Sequence, residues 1–277
     1  MRVLIIQENG RHDKNRDFRE CFSLQRAFKY HGHETIVWGL GHQNFKDKID
    51  FHSFDIIFNL ENYGDNWLPD LRNVNKPRKF LWSIDAHYRG IQPFENNFKK
   101  GYNILLHSTK DYVTQSYHQW FPNCYDHTLI YPKENIEKRY KFGFCGNYAN
   151  RKDLLESLVQ KFNMKLDIFV IGNDMVNAIN SYHCHFNKNI FNDINYRSFE
   201  TIGCKTLLLT NYNSQYEMLG FKHNVNCLMY HNMEECYDIM KNIDNYDIER
   251  IRNGGWELSS QHNYFVRIKQ FLDVNFK

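Results

Sequence analysis

Two rhythms alternate along this chain. Short, almost wholly apolar runs are followed by longer stretches in which apolar residues recur at helical spacing. The runs at 2–6, 35–39, 54–60, 79–84 and 103–107 read as buried strands, as does 128–131, which ends at Pro132. Between them, 16–31 sets Phe18, Cys21, Phe22, Leu24 and Phe28 at helical spacing, and 94–100 and 110–120 read as helices. Residues 133–139 are charged apart from Asn135 and Ile136 and read as a linker. A second cycle follows: strand 142–145, helix 151–162, strand 166–171, and a polar His- and Asn-rich segment at 181–195. A helix carrying Arg197 and Glu200 comes next, then strands 205–210 and 227–230 and helices 234–243, 248–260 and 264–274. Buried strands alternating with helices imply an α/β protein whose parallel sheets are covered on both faces. Two successive cycles imply two domains, 1–133 and 134–277, with ligands at the carboxyl ends of the strands.

Charge and composition narrow the partners. A net charge of +3 on 277 residues demands neither a nucleic acid nor a membrane. Basic clusters at Arg11 to Arg19 and at Lys76 to Lys79 leave nucleic acid open. The first apolar run is too short for the core of a signal peptide, and no run is long enough to span a membrane. The seven cysteines are odd in number, show no paired spacing and sit mostly among apolar residues. Reduced, buried thiols and a cytoplasmic location are expected.

Candidate chemistry concentrates at strand ends. Arg197 and Glu200 lie three apart, on one helical face, just before a buried strand; the guanidinium suits a phosphate and the carboxylate suits the two hydroxyls of a ribose. The bland alternative is a surface ion pair. Gly146 and Asn147 end another strand, where glycine lets a backbone approach a pyrophosphate; an ordinary tight turn would look the same. Arg151, at the start of the next helix, opposes the helix dipole, which a bound anion would offset. Gly172 and Asn173 end a further strand at the same sheet edge, again as phosphate border or plain turn. No G-x-G-x-x-G or Walker pattern is present.

Asp85 follows the apolar run 80–84, where a parallel strand would deliver a general base, or where it would cap a following helix. His87 competes for that role if the strand continues, and Glu8, at the end of the first strand, is a third candidate. The loops 8–13, with Arg11, and 65–70 are candidate acceptor walls. His183-Cys184-His185 fits no common metal-ligand spacing, and no metal site is expected.

The order of these pieces resembles the GT-B glycosyltransferases related to spore maturation protein B. The residues that carry it are Phe144-Cys-Gly-Asn-Tyr-Ala-Asn-Arg151, the Arg197-Ser-Phe-Glu200 helix running into Leu209, and His262-Asn-Tyr-Phe-Val-Arg267. Phe80-Leu-Trp-Ser-Ile-Asp-Ala-His87 is more remotely similar to the DNA β-glucosyltransferases of T-even phages, whose matching Asp is the proposed base. The resemblance implies two Rossmann-like domains facing a central cleft, the first for the acceptor and the second for a nucleotide sugar. Gly146, Asn147, Arg151, Gly172, Asn173, Arg197 and Glu200 would hold the donor, a UDP-sugar being favoured. Asp85 would be catalytic, and Glu8, Arg11 and His87 would border the acceptor. It also implies turnover with no metal and no cofactor beyond that co-substrate. The acceptor stays open among a glycan, a protein and a hydroxymethylated pyrimidine in DNA. A non-catalytic nucleotide- or glycan-binding module and a GT-B sugar-nucleotide epimerase are the alternatives.

Overall fold

The computed structural model describes residues 1–276. Its strands are β1 (Arg2–Ile6), β2 (Glu34–Trp38), β3 (Ile56–Leu60), β4 (Arg78–Ser83), β5 (Ile104–His107), β6 (His118–Trp120), β7 (Tyr140–Gly146), β8 (Lys165–Ile168), β9 (Tyr182–Phe186), β10 (Leu207–Asn211) and β11 (Leu228–Tyr230). The helices are α1 (Glu20–Tyr30), α2 (Ala86–Arg89), α3 (Gln92–Phe98), α4 (Lys152–Phe162), α5 (Asn173–Asn180), α6 (Tyr196–Gly203), α7 (Ser214–Met218), α8 (Met233–Lys241), α9 (Ile248–Ser259) and α10 (Tyr264–Asn275). They form two compact units: Met1–Asn123 together with the chain from Tyr264 on, and Cys124–Asn263.

The first unit is a parallel sheet in the order β2-β1-β3-β4-β5-β6. Its strands are buried on both faces, which is why they read as continuous apolar runs. One face packs Leu4, Ile57, Leu81 and Leu105 against Phe94 and Tyr102. On the other, Phe271 of α10 meets Phe28, Phe58, Phe80 and Phe121, with ring centroids 4.6–6.2 Å apart. These contacts place α10 in the first unit, although the sequence grouped it with 134–277. The change of unit at 123/124 also lies ahead of the 133/134 boundary that the charged segment suggested.

The second unit is a parallel sheet in the order β11-β10-β9-β7-β8. Its central strand β9 lies inside the segment that reads as a polar connection. Tyr182, Cys184 and Phe186 are buried at alternate positions, and the histidines between them mask that period. Residues 128–131 form a turn in place of a strand, because the Asp126 carboxylate accepts from the Thr128 N–H at 2.9 Å and its hydroxyl at 2.6 Å. The helix expected at 110–120 is a short 3-10 turn followed by β6, whose His118 pairs with Leu105. All seven cysteines are unbridged and buried. Burial pushes the Cys21 and Cys145 thiols up to about 12, which makes them poor nucleophiles. No helix among the described residues is long and apolar enough to cross a membrane.

His107 ends β5 fully buried, with neither ring nitrogen hydrogen-bonded among the described residues. Burial, and then the neighbouring His118, lower its pKa to about 3. The folded state therefore holds it neutral, whereas the unfolded chain takes up a proton below about pH 6.5. Stability contributed above that pH is lost as pH falls, by about 1.4 kcal/mol per pH unit until about pH 3 is approached. Urea titrations at stepped pH should show this slope, and His107→Leu should flatten it. An unchanged slope in the variant would assign the proton uptake elsewhere.

Candidate functional site

In the second unit, the carboxyl ends of β7 and β9 and the start of α6 meet around one side chain. Arg197 donates from Nε to the Cys145 carbonyl at 2.7 Å and from Nη1 to the Asn187 amide oxygen at 3.0 Å. Its Nη2 has no protein partner among the described residues and lies against Gly146. A Cβ added at Gly146 would overlap that guanidinium, and the backbone there has a φ of +152°. The glycine is thus required by the arginine as well as by the turn. Asn187 is fully buried; its amide donates to Ser198 and Thr210 hydroxyls, both of which also bond to the Tyr216 hydroxyl. This polar network fixes the loop between β9 and α6, so that Arg197 leaves the helix in one orientation.

His185, also fully buried, secures the same corner. Its Nε2 accepts the Cys145 N–H at 3.1 Å, and its Nδ1 lies 2.7 Å from the Thr201 hydroxyl, which in turn donates to the Arg197 carbonyl. Burial holds its pKa well below the usual imidazole range. An Nε2 that accepts requires the neutral ring with its proton on Nδ1. His183 is exposed, and the described residues contain no group of three or more His, Cys, Asp or Glu arranged to hold a metal.

Arg151 is buried, and each nitrogen of its guanidinium has a carbonyl partner. It donates to the carbonyls of Lys188 at 2.7 Å, Asn147 at 2.9 Å and Tyr148 at 3.4 Å. These carbonyls, with no anion needed, account for a cation at the start of α4. Both Arg151 and Arg197 lie over the ring of Phe144, at 5.4 and 5.1 Å. Burial, then the charge of Arg197, lower the Arg151 pKa to about 10, so it stays protonated at neutral pH. Asn147 folds its side chain onto the Ala149 N–H at 2.9 Å. Gly172 sits at the N-cap of α5 with a φ of +62°, a conformation natural to glycine, and Asn173 opens that helix exposed. The turn between β8 and Gly172 borders Gly146, whose carbonyl accepts the Phe169 N–H at 3.1 Å. Glu200 is half-buried one turn after Arg197, and its charge supports the protonated guanidinium.

In the first unit, carboxylates gather at the ends of β1, β3 and β4, where the chain order reverses between β1 and β3. Asp85 takes the N-cap position of α2 without a side-chain capping bond, and its side chain is 58% exposed. The strand ends at Ser83, so His87 lies on α2 and not on a continued strand face; its Nε2 is 3.9 Å from Asp85 Oδ1. Glu8 is buried and accepts the Tyr63 N–H at 3.1 Å. Arg11 is exposed and lies 4.1 Å over the Tyr63 ring. The Lys76 to Lys79 cluster does not form a basic face. Lys76 pairs with Asp55, Arg78 reaches the Asn275 carbonyl, and Lys79 is buried against the Leu71 and Val74 carbonyls.

Glu61 is the residue that sequence reasoning passed over. One carboxylate oxygen accepts the N–H groups of Ile84 and Asp85 at 2.8 and 2.7 Å; the other accepts from Arg89 at 3.0 Å. Burial is the main cause that raises its pKa. It fixes the backbone that presents Asp85. Its signal was available: Glu61 is the first charged residue after the run 54–60, the same placement that marks Asp85.

The profile of the glycosyl transferase-like family matches residues 129–273, more than half of the chain. The chain belongs to that family. No curated protein matches this glycosyl transferase-like chain by sequence. Among solved structures, it is similar to an alpha-glucosyltransferase in complex with UDP and a 13-mer DNA containing a central A:G mismatch, at 13% identity, TM-score 0.70 and full coverage of both chains. It is similar to Anabaena HepE in complex with UDP and glucose, at 10% identity, TM-score 0.69 and 99% coverage of each chain. Sucrose-phosphate synthase from Thermosynechococcus elongatus is similar at 10% identity and TM-score 0.63, with 99% of this chain and 98% of that one covered. The fold is GT-B, with two parallel α/β units.

Gly146→Ala should force the Arg197 guanidinium from its place. The expected cost is about 1–3 kcal/mol in unfolding free energy, from overpacking and the positive φ. Chemical denaturation measures it; a neutral substitution would mean that the loop relaxes without Arg197.

Proposed function

We propose that this protein transfers a sugar from a nucleotide sugar, with UDP-sugars favoured, to an acceptor hydroxyl. The observation that carries the reading is the Nη2 of Arg197, held beside Gly146 with no protein partner among the described residues, in a chain of the glycosyl transferase-like family. An anionic oxygen at that place would complete the guanidinium's hydrogen bonding. The donor diphosphate would lie along Gly146 and Asn147, bordered by Gly172 and Asn173, with the ribose on Glu200. Arg151 shapes this loop through the carbonyls it holds. UDP in the structures of HepE and the alpha-glucosyltransferase supports the choice of nucleotide. The motifs 144–151, 197–209 and 262–267 support placement near the relatives of spore maturation protein B. The first unit is proposed as the acceptor portion and the second as the donor portion.

Asp85 is the proposed general base. Its carboxylate takes the proton from the acceptor hydroxyl as that oxygen attacks the anomeric carbon. The bond from that carbon to the diphosphate breaks, and UDP leaves with the electron pair. Arg197 and the N–H groups of the loop receive the charge that develops on the leaving group. His87, Glu8 and Arg11 would border the acceptor.

DNA is the acceptor we favour. Arg11, Lys14 and Arg16 are exposed; Tyr88, three residues after Asp85, is 73% exposed, and Tyr63, which follows β3 at the same sheet edge, is 60% exposed. Basic side chains with exposed aromatic rings suit phosphates and unstacked bases. The likeness to a DNA-bound alpha-glucosyltransferase supports the same choice.

Three experiments test the proposal. Glu200→Ala should weaken UDP binding about 10-fold by calorimetry, while Asp85→Asn should spare it and reduce transfer about 100- to 10,000-fold. Normal turnover in Asp85→Asn would remove the base assignment. Transfer should persist in EDTA, since the proposed site neutralises the diphosphate with Arg197; a complete loss reversed by Mg²⁺ would count against it. Neutralising three phosphates predicts a log–log salt slope near −2.7 for duplex DNA, about 40-fold weaker binding from 50 to 200 mM salt. A flat dependence would exclude DNA.

A further inference from the structure

The second unit carries a cavity apart from the Gly146–Arg197 loop, and the proposed reaction makes no use of it. It lies at the carboxyl ends of β10 and β11, on the flank of the sheet away from β7 and β8, and encloses 740 Å³. Ligand pockets fall at about 300–1,000 Å³.

Its wall combines an aromatic face with both kinds of hydrogen-bonding group. Tyr212 follows β10, and its ring stacks on His231 with centroids 4.6 Å apart and planes inclined by 31°. The Tyr212 N–H bonds to the Tyr230 carbonyl at 2.7 Å, which fixes the base of that platform. Glu217 accepts the Tyr212 hydroxyl at 3.3 Å, and Glu235 accepts the His231 N–H. Each carboxylate uses one oxygen in these bonds and keeps the other uncommitted among the described residues. The His223 Nδ1 accepts the Met229 N–H at 3.0 Å, so the neutral ring carries its proton on Nε2, as a donor. The Lys222 ammonium lines the same cavity with no partner among the described residues.

That set discriminates among ligands. Two carboxylates repel a phosphate or another carboxylate. An apolar ligand would desolvate donors and acceptors without replacing their water hydrogen bonds. The cavity holds no metal-binding group of three or more His, Cys, Asp or Glu. A ring bearing several hydroxyls satisfies all of it: hydroxyls donate to Glu217 and Glu235, accept from His223 and Lys222, and leave a C–H face for Tyr212. We propose that this cavity is a binding site for a neutral saccharide, separate from the nucleotide-sugar site and independent of which acceptor the enzyme uses.

Saturation-transfer NMR on the full chain tests this, with glucose, N-acetylglucosamine, maltotriose and cellotriose as probes, each with and without saturating UDP. At least one should bind saturably and keep binding when UDP is saturating. Tyr212→Ala and His223→Ala should each weaken that saccharide about fivefold or more and leave UDP affinity unchanged. Should Tyr212→Ala fail to fold, His223→Ala, whose side chain is exposed, decides alone. The proposal is overturned by no saturable binding of any probe, by displacement of the saccharide by UDP, or by full affinity in the variants. UDP affinity, measured in parallel, reports on the donor site separately.

Discussion

The second unit is organised around the hydrogen bonds of one guanidinium. Arg197 ties the last turn of β7 to the loop after β9 and leaves one edge uncommitted. Removing a buried charge from water is costly unless geometry and partners are well chosen. Much of the surrounding sequence serves that requirement. Gly146 makes room for the side chain, Phe144 supplies a ring face, and Asn187 supplies an oxygen held in place by Ser198, Thr210 and Tyr216. His185 fastens the opposite side through Cys145 and Thr201. None of these hydrogen-bonding and packing residues carries a charge of its own; the carboxylate nearest in the chain, Glu200, lies one turn further along the helix.

The first unit solves a different problem. Here three acids, Glu8, Glu61 and Asp85, follow neighbouring strand ends. Glu61 is compensated by two backbone N–H groups and Arg89; Glu8 has the Tyr63 N–H. Asp85 is left the most exposed of the three. Burial and backbone N–H groups thus give Glu61 a structural task, while the Asp85 side chain stays 58% exposed.

Much of this was readable from the chain. Strands buried on both faces, such as β1, β3 and β4, announce themselves as continuous apolar runs. The residues after such runs follow as candidates, as Asp85 does after β4. What failed had physical reasons. In β9 the polar residues at alternate positions are themselves part of the structure: His185 is buried because it has partners, which hydropathy cannot register. At Thr128 a side-chain hydrogen bond from a neighbour overrode a β-branched, apolar stretch. The arginine at the start of α4 was read through the helix dipole alone. Its actual partners are the carbonyls of Asn147 and Tyr148 beside it and of Lys188, far along the chain. The aromatic residues of α10 give no sign of which sheet they cover.

That last helix has a consequence for how the molecule comes into being. The second unit is an insertion within the first, so the ribosome releases all of it before Tyr264 and Phe271 emerge. Until then the sheet face carrying Phe58 and Phe80 lacks its cover and exposes aromatic surface. The nascent first unit therefore depends on a helix made after the second unit for its core, whereas the second has its whole sequence available earlier. Lesions in α10 should accordingly be felt at the sheet of the first unit, whose strands are made before it.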